Sequence, residues 1–160
     1  MKCTFLFLAA AMFVSQAACG AGKGAVSSAP SAQTNESTDE QVKSMKLRIK
    51  VGEKEATATL NDSEAARDFA SLLPLNLTLE DYAKTEKTSN LPKKLSTEGS
   101  PAGSDPDVGD IAYFAPWGTL VIYYKDFGYS NGLVILGKID GDMEIFNVPG
   151  SVKATIELIK

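Results

Sequence analysis

The chain has no histidine, two cysteines and two arginines, which narrows its chemistry at once. A Ser-His-Asp triad and a His-based metal site both need an imidazole, so neither can be built. Cys3 and Cys19 both fall in the first twenty residues, where a cysteine makes a poor nucleophile. Carboxylates gather twice, as Asp105, Asp107 and Asp110 and as Asp140, Asp142 and Glu144. Oxygen ligands of this kind could collect a hard cation, but neither string has the spacing and glycine placement of an EF-hand loop. Asp-Pro and Asp-Gly also favour turns, the simpler reading of both. Gly52, Gly109 and Gly118 mark turns and form no phosphate-binding pattern, so neither metal nor cofactor is expected. What remains is aromatic. Tyr113, Trp117, Tyr123, Tyr124, Phe127 and Tyr129 crowd together, including four of the five tyrosines and the only tryptophan. Aromatic rings at a barrel mouth or groove make a ligand or peptide platform; the alternative is that they cap the core. The candidate ligand-binding residues are Tyr113, Trp117, Tyr124, Phe127 and Tyr129.

The elements that must position these rings are strands. Residues 108–140 hold three apolar runs, 111–115, 120–125 and 133–139, separated by Pro116-Trp117-Gly118 and by a glycine-containing loop. They predict three consecutive antiparallel strands. Alternation puts Leu120, Ile122 and Tyr124 on one face and Val121 and Tyr123 on the other, so at least one aromatic faces away from the core. Trp117, in its turn, is not expected to be wholly buried.

Upstream, Met45, Leu47, Ile49 and Val51 alternate with Lys46, Arg48 and Lys50, a strand with one buried and one wet face. Gly52-Glu53 fits a two-residue hairpin turn, and residues 55–60 alternate back. Asn61-Asp62-Ser63-Glu64 then supplies a capping side chain and an acid suited to a helix N-terminus. Ala65, Ala66, Phe69, Leu72 and Leu73 recur at helical spacing until Pro74, predicting a short helix over about 62–73. Leu75, Leu77 and Leu79 return to period two, a short strand. Residues 81–94 are polar and ambiguous, fitting another strand interrupted by an excursion; 96–109 is a loop. At the far end Val152, Ala154, Ile156 and Leu158 point inward, with Lys153, Thr155 and Glu157 outward. A domain bounded by two clean amphipathic strands suggests a sheet that closes on itself and so removes its edges.

The first 44 residues differ in kind. Lys2 and the apolar run 5–14 read as a signal peptide over 1–18, too short for a bilayer span of roughly 20 residues. Gln16-Ala17-Ala18-Cys19-Gly20 resembles a bacterial lipobox, with Gln16 where that pattern has an aliphatic residue. Cys19 would then be lipidated; the alternative is ordinary cleavage after Ala17 or Ala21. Once 1–18 is removed, Cys19 is the sole cysteine, so the mature chain has no internal disulfide. Residues 19–44, rich in Gly, Ala, Ser, Thr and Gln, predict a disordered tether, and 45–160 the folded domain. The net charge of −4 becomes −5 without residues 1–18, which hold one lysine and no acid. An acidic surface disfavours nucleic acid and anionic lipid, so any membrane contact is expected through the lipid alone.

The order of the 45–60 hairpin, the helix ending Leu72-Leu73-Pro74, the leucine strand 75–79 and Leu91-Pro92 is one half of a pattern. Val108-Gly109-Asp110-Ile111, the Pro116-Trp117-Gly118 turn, the strand 121–124 and Leu136-Gly137-Lys138-Ile139 complete it. Together they resemble the bacterial cyclophilin-like domain family across residues 45–160. The resemblance implies a mainly β fold, a closed antiparallel β-barrel capped by one short helix, in a family whose members mostly have no established activity. In true cyclophilins an arginine of a Phe-His-Arg motif polarises the prolyl amide. Here Arg48 lies on an exposed strand face and Arg67 in the helix, and neither matches that motif, so prolyl isomerisation would rest on fold analogy alone.

Three functions stay open. The leading one is a non-catalytic, monomeric module in the cell envelope that binds a small molecule or peptide and is exported and held by lipid. The second is an enzyme or enzyme accessory, a weak prolyl isomerase or the partner domain of a redox protein. The third is a structural envelope accessory. An arginine aimed into an aromatic groove would favour the enzyme, and a groove without titratable groups would favour binding.

Overall fold

β1 (Lys46–Val51) and β2 (Lys54–Leu60) form the hairpin that the alternation predicts, turning through Gly52 and Glu53 with Gly52 at φ 61°. They open a computed structural model that describes residues 45–159. The expected signal peptide, the tether and Cys19 lie outside the described residues.

Ser63 caps α1 (Glu64–Ser71), its hydroxyl accepting a hydrogen bond from the Ala66 amide at 3.1 Å. Ala65, Ala66, Phe69 and Ala70 are buried, so this two-turn helix gains its stability by joining the barrel core. It is shorter than expected. Leu72 and Leu73 lie past its end and are only half-buried, because Pro74 follows and cannot continue a helix.

β3 (Leu75–Tyr82) runs three residues beyond the expected leucine strand. A short turn through Ala83 and Lys84, both at positive φ, leads into β4 (Glu86–Asn90), which resolves the ambiguous polar stretch as a true strand. Two-residue β5 (Gly103–Ser104) pairs with β8 (Ser130–Asn131) beside the barrel. Between them come β6 (Asp110–Phe114) and β7 (Thr119–Tyr123), followed by β9 (Leu133–Ile139), as the three apolar runs predict. A single 3₁₀ turn, Met143–Ile145, leads to β10 (Val152–Leu158).

Eight strands close the barrel in the order β1-β10-β3-β4-β7-β6-β9-β2, every listed neighbour antiparallel. The terminal strands pair directly, Ile49 opposite Ile156 and Arg48 opposite Glu157. Ala154 and Ile156 face inward as alternation requires, but Leu158 is exposed because β10 has there run to the end of its pairing. β2 and β9 approach closely at Gly137. A Cβ there would stand 2.3 Å from the Thr59 carbonyl oxygen, so only glycine fits.

The strand period sorts the apolar residues into two sets. Leu47, Ile49, Leu79, Ile111, Leu120, Ile122, Leu136 and Ile156 fill the barrel with Phe69 and Phe146. Ala112, Val121, Tyr123 and Leu133, with Phe114 and Ile135 against them, form a smaller cluster on the outside of β7, β6 and β9.

Candidate functional site

That outer cluster is the floor of a cleft, and the register of β3, β4, β7 and β6 sets its layout. Tyr82, Glu86 and Tyr123 stand side by side in one row. Glu80, Thr88, Val121 and Ala112 make the next, and Asn90, Thr119 and Phe114 the third. Above the floor rise rings from loops. Gly118, at φ 73°, lets the Pro116-Trp117-Gly118 turn fold tightly. Trp117 then meets Phe114 edge-on at 5.1 Å and Tyr82 at 5.8 Å between ring centroids. Phe127 lies 5.8 Å from Tyr123 at the other end. The cleft so enclosed has a volume of about 150 Å³ and is lined by ten residues, five of them aromatic.

Two polar groups in this lining are buried and have no hydrogen-bond partner, Glu86 Oε2 and Thr119 Oγ1. Each residue is only 7% exposed. Burial pushes the Glu86 carboxyl up to about 7, with the neighbouring Tyr123 phenol offsetting part of the rise. Burial and the proximity of Glu86 push that phenol up in turn. A carboxyl so placed carries a proton over much of the range in which surface carboxylates have lost theirs.

Of the residues expected to bind ligand, Trp117 and Phe127 line the cleft. Tyr129 is 61% exposed, outside the lining, its hydroxyl 3.4 Å from Asn131 Oδ1. Tyr113 and Tyr124 correct the expectation, because both point into the barrel. Tyr113 is 1% exposed and its hydroxyl accepts from the Leu95 amide at 3.2 Å. Tyr124 shares the inward face with Leu120 and Ile122 and donates to Asp81 at 2.7 Å. Burial, followed by that hydrogen bond, raises its phenol to about 12. Tyr82, Glu86, Phe114 and Thr119 join the site unforeseen, and Tyr123, one of the crowded aromatics, joins it as well. Alternation separates Tyr123 from Tyr124 without saying which of them faces out; the others needed the cross-strand register.

Neither arginine lines the cleft. Arg48 bonds Glu55 at 2.9 Å and Glu157 at 3.2 Å, and Arg67 is held by Asp62 and Glu64. Lys87, fully buried on the inner face of β4, is satisfied by Asp81 at 3.0 Å and by the carbonyls of Val148 and Gly150. The acidic strings do turn work. Asp110 accepts from the Asp107 amide, Lys138 bridges both, and Asp142 caps the 3₁₀ turn. Among the described residues no group of three or more Cys, Asp and Glu is placed to hold a metal ion. Nor is any helix among them long and apolar enough to cross a membrane. A larger, more open depression of about 540 Å³ lies over β3 and β10, with no buried unpartnered polar atom in its lining.

A model of the cyclophilin-like family matches residues 49–157. Among solved structures, the chain is similar to the solution structure of the hypothetical protein AF2241 from Archaeoglobus fulgidus. The two share 19% identity at a TM-score of 0.56, the match covering 72% of this chain and 95% of the archaeal one. At that identity the likeness speaks for the fold alone. No curated protein matches the chain.

Proposed function

We propose, for a chain that belongs to the cyclophilin-like family, that the barrel is a ligand-binding module working through the outer cleft of β4, β7 and β6. The family supplies the scaffold, and the site carries the functional argument. One observation bears the weight: a ring-walled cleft whose lining includes two residues with a buried, unpartnered polar atom, Glu86 Oε2 and Thr119 Oγ1. Uncompensated polar atoms cost stability, on the order of 1–3 kcal/mol each, and a ligand that pairs them recovers it. A cavity of this size holds a benzene-sized group, so the occupant is a small molecule or one side chain of a peptide.

In this reading the sequence upstream sets the location. The protein is exported, Cys19 carries the lipid, residues 19–44 are the tether, and the domain samples the envelope as a monomer.

Trp117 is the only tryptophan and stands over the cleft, so its fluorescence reports occupancy directly. Titration with peptides and small amines, acids and alcohols should give a saturable change for some of them, weakened by Phe127→Ala. Saturable binding indifferent to Phe127→Ala, or none at all, would refute the cleft as the site.

The enzyme reading has one observation in its favour. A carboxyl raised to about 7 is poised for proton transfer near neutrality. The cleft lining offers it no arginine, lysine or cysteine to work with, and an isomerase would need an arginine there.

A further inference from the structure

The cleft as a binding site is the premise here; what can occupy it is a separate matter. We infer that it takes a cation, a small alkyl- or arylammonium group with its charge against Glu86 and its apolar body beneath Trp117.

The first argument compares the three charged side chains that the described residues bury. Lys87 has Asp81 at 3.0 Å, and Asp110 has Lys138 at 3.4 Å. Glu86 lines the cleft but forms no ion pair among the described residues, and its Oε2 is buried without a hydrogen-bond partner. Among the described residues, the barrel thus pairs its buried charged side chains within itself except at the ring-walled cleft. The second argument is the wall. Ring faces carry partial negative charge and attract ammonium groups, most strongly at tryptophan and more so once desolvated. Tyr82, Phe114, Trp117, Tyr123 and Phe127 supply rings, and no lining residue is cationic. A carboxylate ligand would meet Glu86 and five π systems with nothing to neutralise it. The third is the far end of the cleft. Thr119 lies four residues along β7 from Tyr123, the partner of Glu86, hence roughly 13 Å away. Its unpartnered hydroxyl suits the polar tail of a longer amine.

Proton traffic follows from this assignment. Without ligand Glu86 holds its proton up to about pH 7. An ammonium group stabilises the carboxylate, so each cation bound at lower pH sends one proton to solvent, and binding tightens as pH rises. The titratable groups facing Glu86 are Tyr123 of β7 and Tyr82 of β3, with Glu80 further along β3; Tyr124 also feels its charge. The phenols of Tyr123 and Tyr124 are pushed up by burial and by Glu86, so both stay neutral through this range.

The test uses the whole protein, Trp117 fluorescence, and n-butylammonium and tetramethylammonium against n-butanol and butyrate. Both cations should bind, and n-butylammonium should bind about tenfold more tightly at about pH 8 than at about pH 6. Glu86→Gln should weaken it by about tenfold or more at the higher pH and flatten the pH profile. If n-butanol or butyrate binds as well as the cation, if affinity falls with rising pH, or if Glu86→Gln binds unchanged, the inference is overturned while the cleft survives as a binding site. If none of the four probes binds, the inference falls together with the reading on which it rests.

Discussion

Glu86 makes the protein's stability depend on pH in an unusual direction. Unfolded, its carboxyl titrates near its ordinary value of 4.5; folded, it titrates at about 7. Between those values the native state holds a proton that the unfolded state has released. Stability therefore falls as pH rises through this window and levels off above about 7. A shift of about 2.5 pH units corresponds to about 3 kcal/mol at 1.36 kcal/mol per unit. That is a sizeable share of the roughly 5–15 kcal/mol that holds a domain together. Asp68, Asp81 and Glu157 carry lowered values, and their contributions have the opposite sign. Those are complete above the unfolded carboxylate range and vanish as pH drops below it, so they do not mask the Glu86 window. Glu86→Gln keeps the shape and removes the charge. Urea denaturation of both proteins at about pH 5 and about pH 8 isolates the effect. The variant should exceed the wild type by less than about 1 kcal/mol at the lower pH and by up to about 3 kcal/mol at the higher. A variant that is less stable at about pH 8 would mean that the carboxylate has a partner in the folded protein, and the reasoning about the cleft would fail.

Other substitutions probe the frame around the site. Ile156→Asp should unfold the domain, because Ile156 is 1% exposed between Ile49 and Leu75, while Glu157→Lys on the wet face should cost little despite losing Arg48 and Lys50; circular dichroism decides. Ile122→Ala should cost about 2–5 kcal/mol by leaving a cavity, and Trp117→Ala and Tyr129→Ala, both more than half exposed, should cost less in thermal denaturation. Equal losses at Trp117 and Ile122 would make the tryptophan a core residue. Cys19→Ser should release the protein from membranes, and a variant that still sediments with them refutes lipid attachment at that residue.

The scaffold was legible wherever alternation was clean. β1, β2 and β10 each bury one face and wet the other, and α1 announces itself through Ser63 and its alanine-rich stripe. β4 was not legible. Its sequence Glu-Lys-Thr-Ser-Asn reads as polar because both its faces are used by polar groups, Lys87 inward to Asp81 and Glu86 outward into the cleft. Period-two reasoning depends on apolar contrast, which a strand carrying functional polar residues lacks. The same blindness hid the site. Alternation set Tyr124 beside Leu120 and Ile122 and Tyr123 opposite them, without saying which face is the core. Which of those two sides a cleft would occupy depends on Phe114 and Thr119, residues joined to Glu86 only through cross-strand register.

The order of strands around the barrel also fixes how the cleft is presented. Counting round the ring, β7 stands diametrically across from β1. Met45 leads into β1, and the Ile159 amide N–H is tied to the same seam by donating a hydrogen bond to the Lys46 carbonyl at 2.9 Å. Both ends of the described chain therefore leave from the wall behind the cleft. A surface, resin or fused protein joined at Met45 or Ile159 grips the strands across the barrel from β7, not the outer face that carries the cleft.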